Sequence, residues 1–187
     1  PLMNENMSAA STDVRRRIRS IFENGTFYAY GSAFYSLFRF KHVIGIRKNI
    51  DIGIHARNNL AGIRNNRFAF WVNVRNTLNK LDIKQPCNIF LASDDLNFSL
   101  KQLKSFTLCK LHFIPRSKSA RDLQKRKTID PGHNIYKELF MNDIQLLSMS
   151  QVFIGTHDSS SSELIMSLVA YNKGSGILCS KKKCERY

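Results

Sequence analysis

From Asp51 onward, short apolar runs alternate with longer segments in which apolar positions recur every three or four residues. The short runs are "DIGIHA" (51–56), "CNIFLAS" (87–93), "CKLHFI" (109–114), "QVFIGT" (151–156) and "GILCS" (176–180), all of strand length and strand composition. Between them lie "RFAFWVNVRNTLNKL", "NFSLKQLKSF", "YKELFMNDIQLLSMS" and "SSSELIMSLVAYN", which carry helical spacing. Strands that are apolar on both faces and punctuated by helices are what a parallel sheet covered on both sides requires. The expectation is therefore an α/β domain over 50–187, a Rossmann-like parallel sheet with helices on both faces.

Upstream the pattern changes. "TDVRRRIRSIFE" (12–23) offers Thr12 or Ser11 as an N-cap and places Val14, Ile18, Ile21 and Phe22 along one helical face. An aromatic run follows, with Tyr30, Phe34, Leu37 and Phe38 at helical spacing, a pattern that reads as packing before function. Residues 1–49 are thus expected to form a separate, mainly helical N-terminal segment.

Charge adds a partner class to this outline. Lys and Arg number 29 against 14 Asp and Glu, a net charge of +15, and such a field attracts phosphates, sulfated glycans, nucleic acid or acidic lipid. No apolar run approaches the roughly 18 residues that a spanning helix needs. The chain starts at Pro1 without a basic-then-apolar leader, as expected of a fragment whose targeting segment lies upstream. Cys87, Cys109, Cys179 and Cys184 form no CxxC pair, which argues against zinc; disulfides suit a lumenal location, and sequons at Asn6, Asn24 and Asn97 permit one.

Ligands of open α/β sheets sit beyond the carboxyl ends of the strands, so the residues there carry the chemistry. The first strand ends in His55 and Arg57, with no Asp or Glu between Asp51 and Asp82. The guanidinium of Arg57 is a planar fork suited to phosphate; the competing reading pairs it with Asp94 or Asp95 from a neighbouring strand end. Those two aspartates follow the second strand, where either could cap a helix. The fourth strand ends in "GTHDSSSSELI", whose hydroxyl run opens a helix: one serine serves as N-cap, and the remainder suit a phosphate at a helix N-terminus. The pattern is neither GxxxxGK[ST] nor GxGxxG.

Taken together, these three strand ends resemble the donor-binding half of the fucosyltransferase superfamily, closest to the α1,6-fucosyltransferases and related to protein O-fucosyltransferases. "IGIHARNN" is similar to the H-x-R-R-x-D block, "IFLASDDLNFSLKQL" to the acidic block, and "NDIQLLSMSQVFIGTHDSSSSELI" to the third block, in the family's order over roughly Ile50 to Tyr171. The resemblance implies the C-terminal nucleotide-sugar half of a GT-B glycosyltransferase, with GDP-fucose as donor substrate, inversion at the anomeric carbon and no metal. It implies that Arg57 binds phosphate and acts in catalysis, that His55 contacts the donor nearby, and that Asp143 reads the guanine edge. Thr156, Ser159, Ser160 and Ser161 would form the phosphate turn, with Asp94 and Asp95 near the sugar. The expected partners are a nucleotide sugar and a glycan or glycoprotein acceptor, with no nucleic acid, and with membrane attachment only through a segment outside this chain. The implied compartment is the secretory pathway, the Golgi or endoplasmic reticulum lumen.

The sequence departs from the family where Asn58 and Leu60 replace its second Arg and its Asp. The following loop, "LAGIRNNRFAF", also lacks a carboxylate able to take a proton from an acceptor hydroxyl. Residues 1–49 are at most a remnant of an acceptor half. Two further readings use the same residues: a catalytically inactive GDP-sugar-binding relative, and a basic polyanion module built on Arg15, Arg16, Arg17, Arg19, Lys125, Arg126 and Lys127.

Overall fold

The apolar runs do form a parallel sheet. A computed structural model describes residues 49–104, 109–115 and 132–187. In chain order the elements are β1 (Ile52–Ala56), α1 (Ala61–Arg64), α2 (Arg67–Lys80), β2 (Asn88–Ser93), α3 (Leu96–Lys104), β3 (Lys110–His112), α4 (Gly132–Ser148), β4 (Val152–Thr156), α5 (Ser160–Tyr171), β5 (Ser175–Cys179) and β6 (Cys184–Arg186). The strand order is β3-β2-β1-β4-β5-β6, parallel throughout except for the antiparallel last pair. This is the expected Rossmann-like α/β architecture. The N-terminal segment expected over 1–49 and the basic residues at 15–19 and 125–127 lie, but for Asn49, outside the described residues.

Alternation along each strand sends its side chains into two separate cores. Ile52, Ile54 and Ala56 of β1, with Ile89, Leu91 and Ile154, pack against Ile63 of α1, Phe70, Trp71 and Val74 of α2, and Leu103 of α3. On the opposite face Phe90, Ala92, Phe153 and Leu178 meet Ile144 and Leu147 of α4 and Ile165, Met166 and Val169 of α5. Each helix follows from its spacing: Phe70, Trp71 and Val74 fall on one side of α2, whereas Phe68 and Val72 fall on the other and stay exposed. Both faces of β1 are covered, which explains why all five of its residues are buried.

Gly53 marks where α4 closes on the sheet. A Cβ there would stand 2.7 Å from Ser150 Oγ and 3.1 Å from Leu147 Cδ2, so the end of this helix rests on bare strand backbone. Gly155 does the same for α5, since a Cβ would lie 2.8 Å from Ser162 Cβ. That closeness lets Ser162 reach the ends of both central strands.

The periodicity pointed to neither α1 nor β6. Helix α1 is one short turn, and β6 is a three-residue strand that reverses against β5. All four cysteines are paired: Cys87 with Cys109, just ahead of β2 and β3, and Cys179 with Cys184, opposite each other in the β5–β6 hairpin. The first bridge has a sequence separation of 22, so by chain entropy alone it stabilises by about 3 kcal/mol. Replacing both Cys87 and Cys109 by Ala is therefore expected to lower the thermal midpoint by several degrees relative to the oxidised parent. Equal midpoints in a calorimetric melt would contradict a structural role for this bridge.

Candidate functional site

Strand order reverses between β1 and β4: the chain proceeds from β1 outward to β2 and β3, then returns to the other side of β1. Crossovers diverge at such a point and leave a crevice at the carboxyl edge. Three stretches converge there: residues 57–60 after β1, Asp94 and Asp95 after β2, and residues 156–159 with the first turn of α5 after β4.

Thr156 ties β4 to β1. Its Oγ1 accepts the Arg57 N–H at 2.9 Å and donates to the His55 carbonyl at 3.1 Å, leaving the side chain fully buried. Ser162 Oγ accepts the Thr156 N–H at 3.0 Å and lies 2.7 Å from His55 Nδ1, a contact whose donor depends on the imidazole tautomer. His55, at 6% exposure, is thus held inside the face covered by α4 and α5. Asp143 lies on α4, about one turn ahead of Leu147. Asp143 is itself buried at 4% exposure.

The turn after β1 is governed by Asp94 and Asn58. Asp94 accepts the Asn58 N–H at 2.8 Å through Oδ1 and the Asn59 N–H at 3.1 Å through Oδ2. The Asn58 side chain, 1% exposed, uses its amide fully. Its Nδ2 donates to Ser93 Oγ and Ser99 Oγ, each at 2.9 Å, and its Oδ1 accepts from Trp71 Nε1 at 2.8 Å. The Ser93 and Ser99 hydroxyls also meet each other at 2.8 Å. One side chain thereby joins the loop after β1 to β2, α2 and α3.

Arg57 lies on this framework with its charge incompletely matched. Of the two readings of Arg57, the pairing with a neighbouring strand end is present as a loose contact: Asp94 Oδ2 is 3.5 Å from Arg57 Nε, supplied by the adjacent strand rather than by nearby sequence. That contact does not make a hydrogen bond. The buried Nε has no hydrogen-bond partner, and Asp94 is already accepting two backbone N–H groups. The side chain retains 36% of its exposure, so the guanidinium is both anchored and accessible. A buried N–H without an acceptor costs about 1–3 kcal/mol, which an incoming anion near the fork would offset.

The four serines divide their work. Ser159 is the N-cap, with its Oγ accepting the Ser162 N–H at 3.4 Å, and both residues are buried. Ser160 is exposed and Ser161 half-buried at the start of α5, where free N–H groups and the helix dipole favour negative charge. Asp95 caps α3, accepting the Phe98 N–H at 3.2 Å, and pairs with Arg67 at 3.4 Å. Arg67 in turn stacks 4.1 Å over the Phe98 ring. Arg57, Ser159, Ser160 and Ser161 therefore gather at the crevice, His55 is buried at the end of β1, Asp94 supports the turn, Asp95 stands to one side, and Asp143 is buried on α4.

Next to the crevice opens a cleft of about 590 Å³, lined by Leu60, Ile63, His157, Asp158 and the hairpin residues Ser180, Lys181, Lys182, Lys183 and Glu185. Asp158 adopts a left-handed backbone (φ 63°), which a short carboxylate tolerates, and its Oδ2 lies 3.0 Å from His157 Nδ1. Glu185 is bonded to Lys183 and to the Tyr187 hydroxyl, contacts that hold its carboxyl below the usual pKa of the group.

Among solved structures, the fold is similar to that of NodZ alpha-1,6-fucosyltransferase. The crystal soaked with GDP-fucose matches at 17% identity and a TM-score of 0.47, over 86% of this chain and 47% of that one. The form co-crystallised with GDP matches at 16% and 0.48, over 90% and 50%. The Se-Met enzyme from Bradyrhizobium matches at 16% and 0.47, over 90% and 51%. The chain thus spans about half the length of these structures, and the likeness is one of fold. No protein-family model matches the chain, and no curated protein is similar to it.

Sequence reasoning passed over Asn58 as a structural hub, and with it Trp71, Ser99 and Ser162. Their bonds join residues up to 107 positions apart, so no local spacing announces them. Asn58→Leu is expected to cost about 3 kcal/mol, because it strands the buried Trp71 N–H and takes one donor from each of the Ser93 and Ser99 oxygens, which keep only their other bonds. A denaturant midpoint within error of the parent would refute this account of the turn.

Proposed function

We propose that this domain binds the diphosphate of a nucleotide sugar, as the donor half of a fucosyltransferase-like glycosyltransferase that moves fucose from GDP-fucose to a glycan or glycoprotein acceptor. The observation that carries the reading is Arg57: a guanidinium at the strand-order reversal, its Nε without a hydrogen-bond partner, on the carboxyl edge of the sheet from which the hydroxyl-rich α5 also starts. A departing GDP accumulates charge on its β-phosphate, and a prepositioned cation with a helix N-terminus stabilises that charge. By resemblance to the family, Asp143 would read the guanine edge and His55 would contact the donor near Arg57. The two disulfides favour an oxidising lumen, in keeping with the secretory pathway.

A second reading, donor binding without turnover, draws on Asn58. The side chain at the family's second arginine position is consumed by internal hydrogen bonds and offers no cation to the donor. Leu60, at the position of the family's Asp, is apolar and lines the cleft instead.

Thermal-shift titration with GDP tests binding. At GDP a hundredfold above Kd the protein should gain about 2.7 kcal/mol of stability. Arg57→Ala should lose most of that gain while folding normally. Absence of any shift at millimolar GDP would reject the proposal. Release of fucose from GDP-fucose by the parent, abolished in Arg57→Ala, would separate transferase chemistry from mere binding.

A further inference from the structure

We infer that the β5–β6 hairpin is a recognition element for an acidic saccharide, a sugar unit bearing carboxylate or sulfate, bound in the cleft between the hairpin and the turn after β1. The inference rests on the proposed function for its location, since an acceptor must lie beside the donor. It depends on different residues. The hairpin tip, Ser180 to Lys183, carries three consecutive lysines, and all of them line the cleft.

This tip is built rather than loose. Cys179 and Cys184 close it covalently, opposite each other in the ladder. Ser180 Oγ accepts the Lys182 N–H at 3.0 Å and the Lys183 N–H at 3.2 Å, and it donates to the Lys183 carbonyl at 3.1 Å. From outside the hairpin, Asn73 Nδ2 donates to the Ser180 carbonyl at 3.1 Å, while the His157 N–H donates to the Cys179 carbonyl at 2.7 Å. The lysine backbones are therefore fixed relative to both α2 and the end of β4.

The charges around the cleft decide what it attracts. Its carboxylates are both engaged, Asp158 by His157 and Glu185 by Lys183. Lys181 and Lys182 are exposed and make no ion pair among the described residues. Consecutive lysines on a fixed backbone concentrate positive charge at the tip, and an anion bound there offsets it. Leu60 and Ile63 add apolar lining to the same cleft. Apolar and cationic lining together suit a ring with a hydrocarbon face and an acidic substituent, and a free inorganic anion would use only the lysines.

The test measures binding of a heparin-derived hexasaccharide and of a neutral N-acetylglucosamine hexasaccharide to the full 187-residue chain. It compares the parent with Lys181→Ala/Lys182→Ala and with Lys101→Ala/Lys104→Ala, a control that removes equal charge from the exposed side of α3. The hairpin variant should bind the acidic hexasaccharide about tenfold more weakly, while the control changes it less than about twofold. Equal losses in the two variants would mean attraction by net charge only and would overturn the inference. So would stronger, Lys181- and Lys182-dependent binding of a single-stranded oligodeoxynucleotide, or inorganic sulfate competing as well per charge as the saccharide. The GDP thermal shift is read in parallel and should be the same in the hairpin variant as in the parent. Lys181- and Lys182-dependent saccharide binding in a protein that ignores GDP would retire the donor reading and leave the cleft standing.

Discussion

The amide of Asn58 spends both of its N–H donors and its carbonyl inside the protein, and the geometry of the carboxyl edge depends on that. Satisfying a buried amide requires Ser93 at the end of β2, Ser99 on α3 and Trp71 on α2 to occupy single positions together. The turn after β1 can then follow only one path, in which Asn58 and Asn59 offer their backbone N–H groups to Asp94. Arg57 is carried along by this arrangement. Its orientation follows from polar bonds made by its neighbours, and its own guanidinium remains available.

A division of labour runs through the site. Thr156, Ser162, Asp94 and Ser159 are buried or nearly so and are consumed by joining strand ends and capping a helix. Arg57, Ser160 and Ser161 retain exposure. Fixed, buried groups that hold exposed ones in place are the general plan of preorganised binding sites, because geometry settled during folding need not be settled again on binding.

Much of the architecture was legible in the sequence, for reasons that differ by element. β1, β2 and β4 announce themselves because strands buried on both faces must be apolar nearly throughout, and α5 because its serines open a helix with a strong apolar face. β6 was illegible: "CER" has no strand pattern, and its Cys184 lies opposite Cys179, to which it is bonded, a pairing that no periodicity marks. Within the site, chemistry pointed to Arg57 and to a capping serine. The sequence around Arg57 holds no carboxylate, yet the fold brings Asp94 beside it, since parallel strands align residues that lie far apart along the chain. For the same reason Ser162 and Asn58 gave no sign: their partners come from other elements.

The two disulfides have a common position in the sheet. Among the described residues, the outermost strands are β3 and β6, three residues each, and each bridge joins one of them to its inner neighbour. An unpaired sheet edge is a template on which another chain can add a strand, and short, covalently tethered edges offer little to add to. In an oxidising medium both short edge strands of the described sheet stay tethered to their neighbours. Reduction would remove both tethers and leave only three-residue backbone ladders over β2 and β5, whose apolar sequences are well suited to pairing with a neighbour.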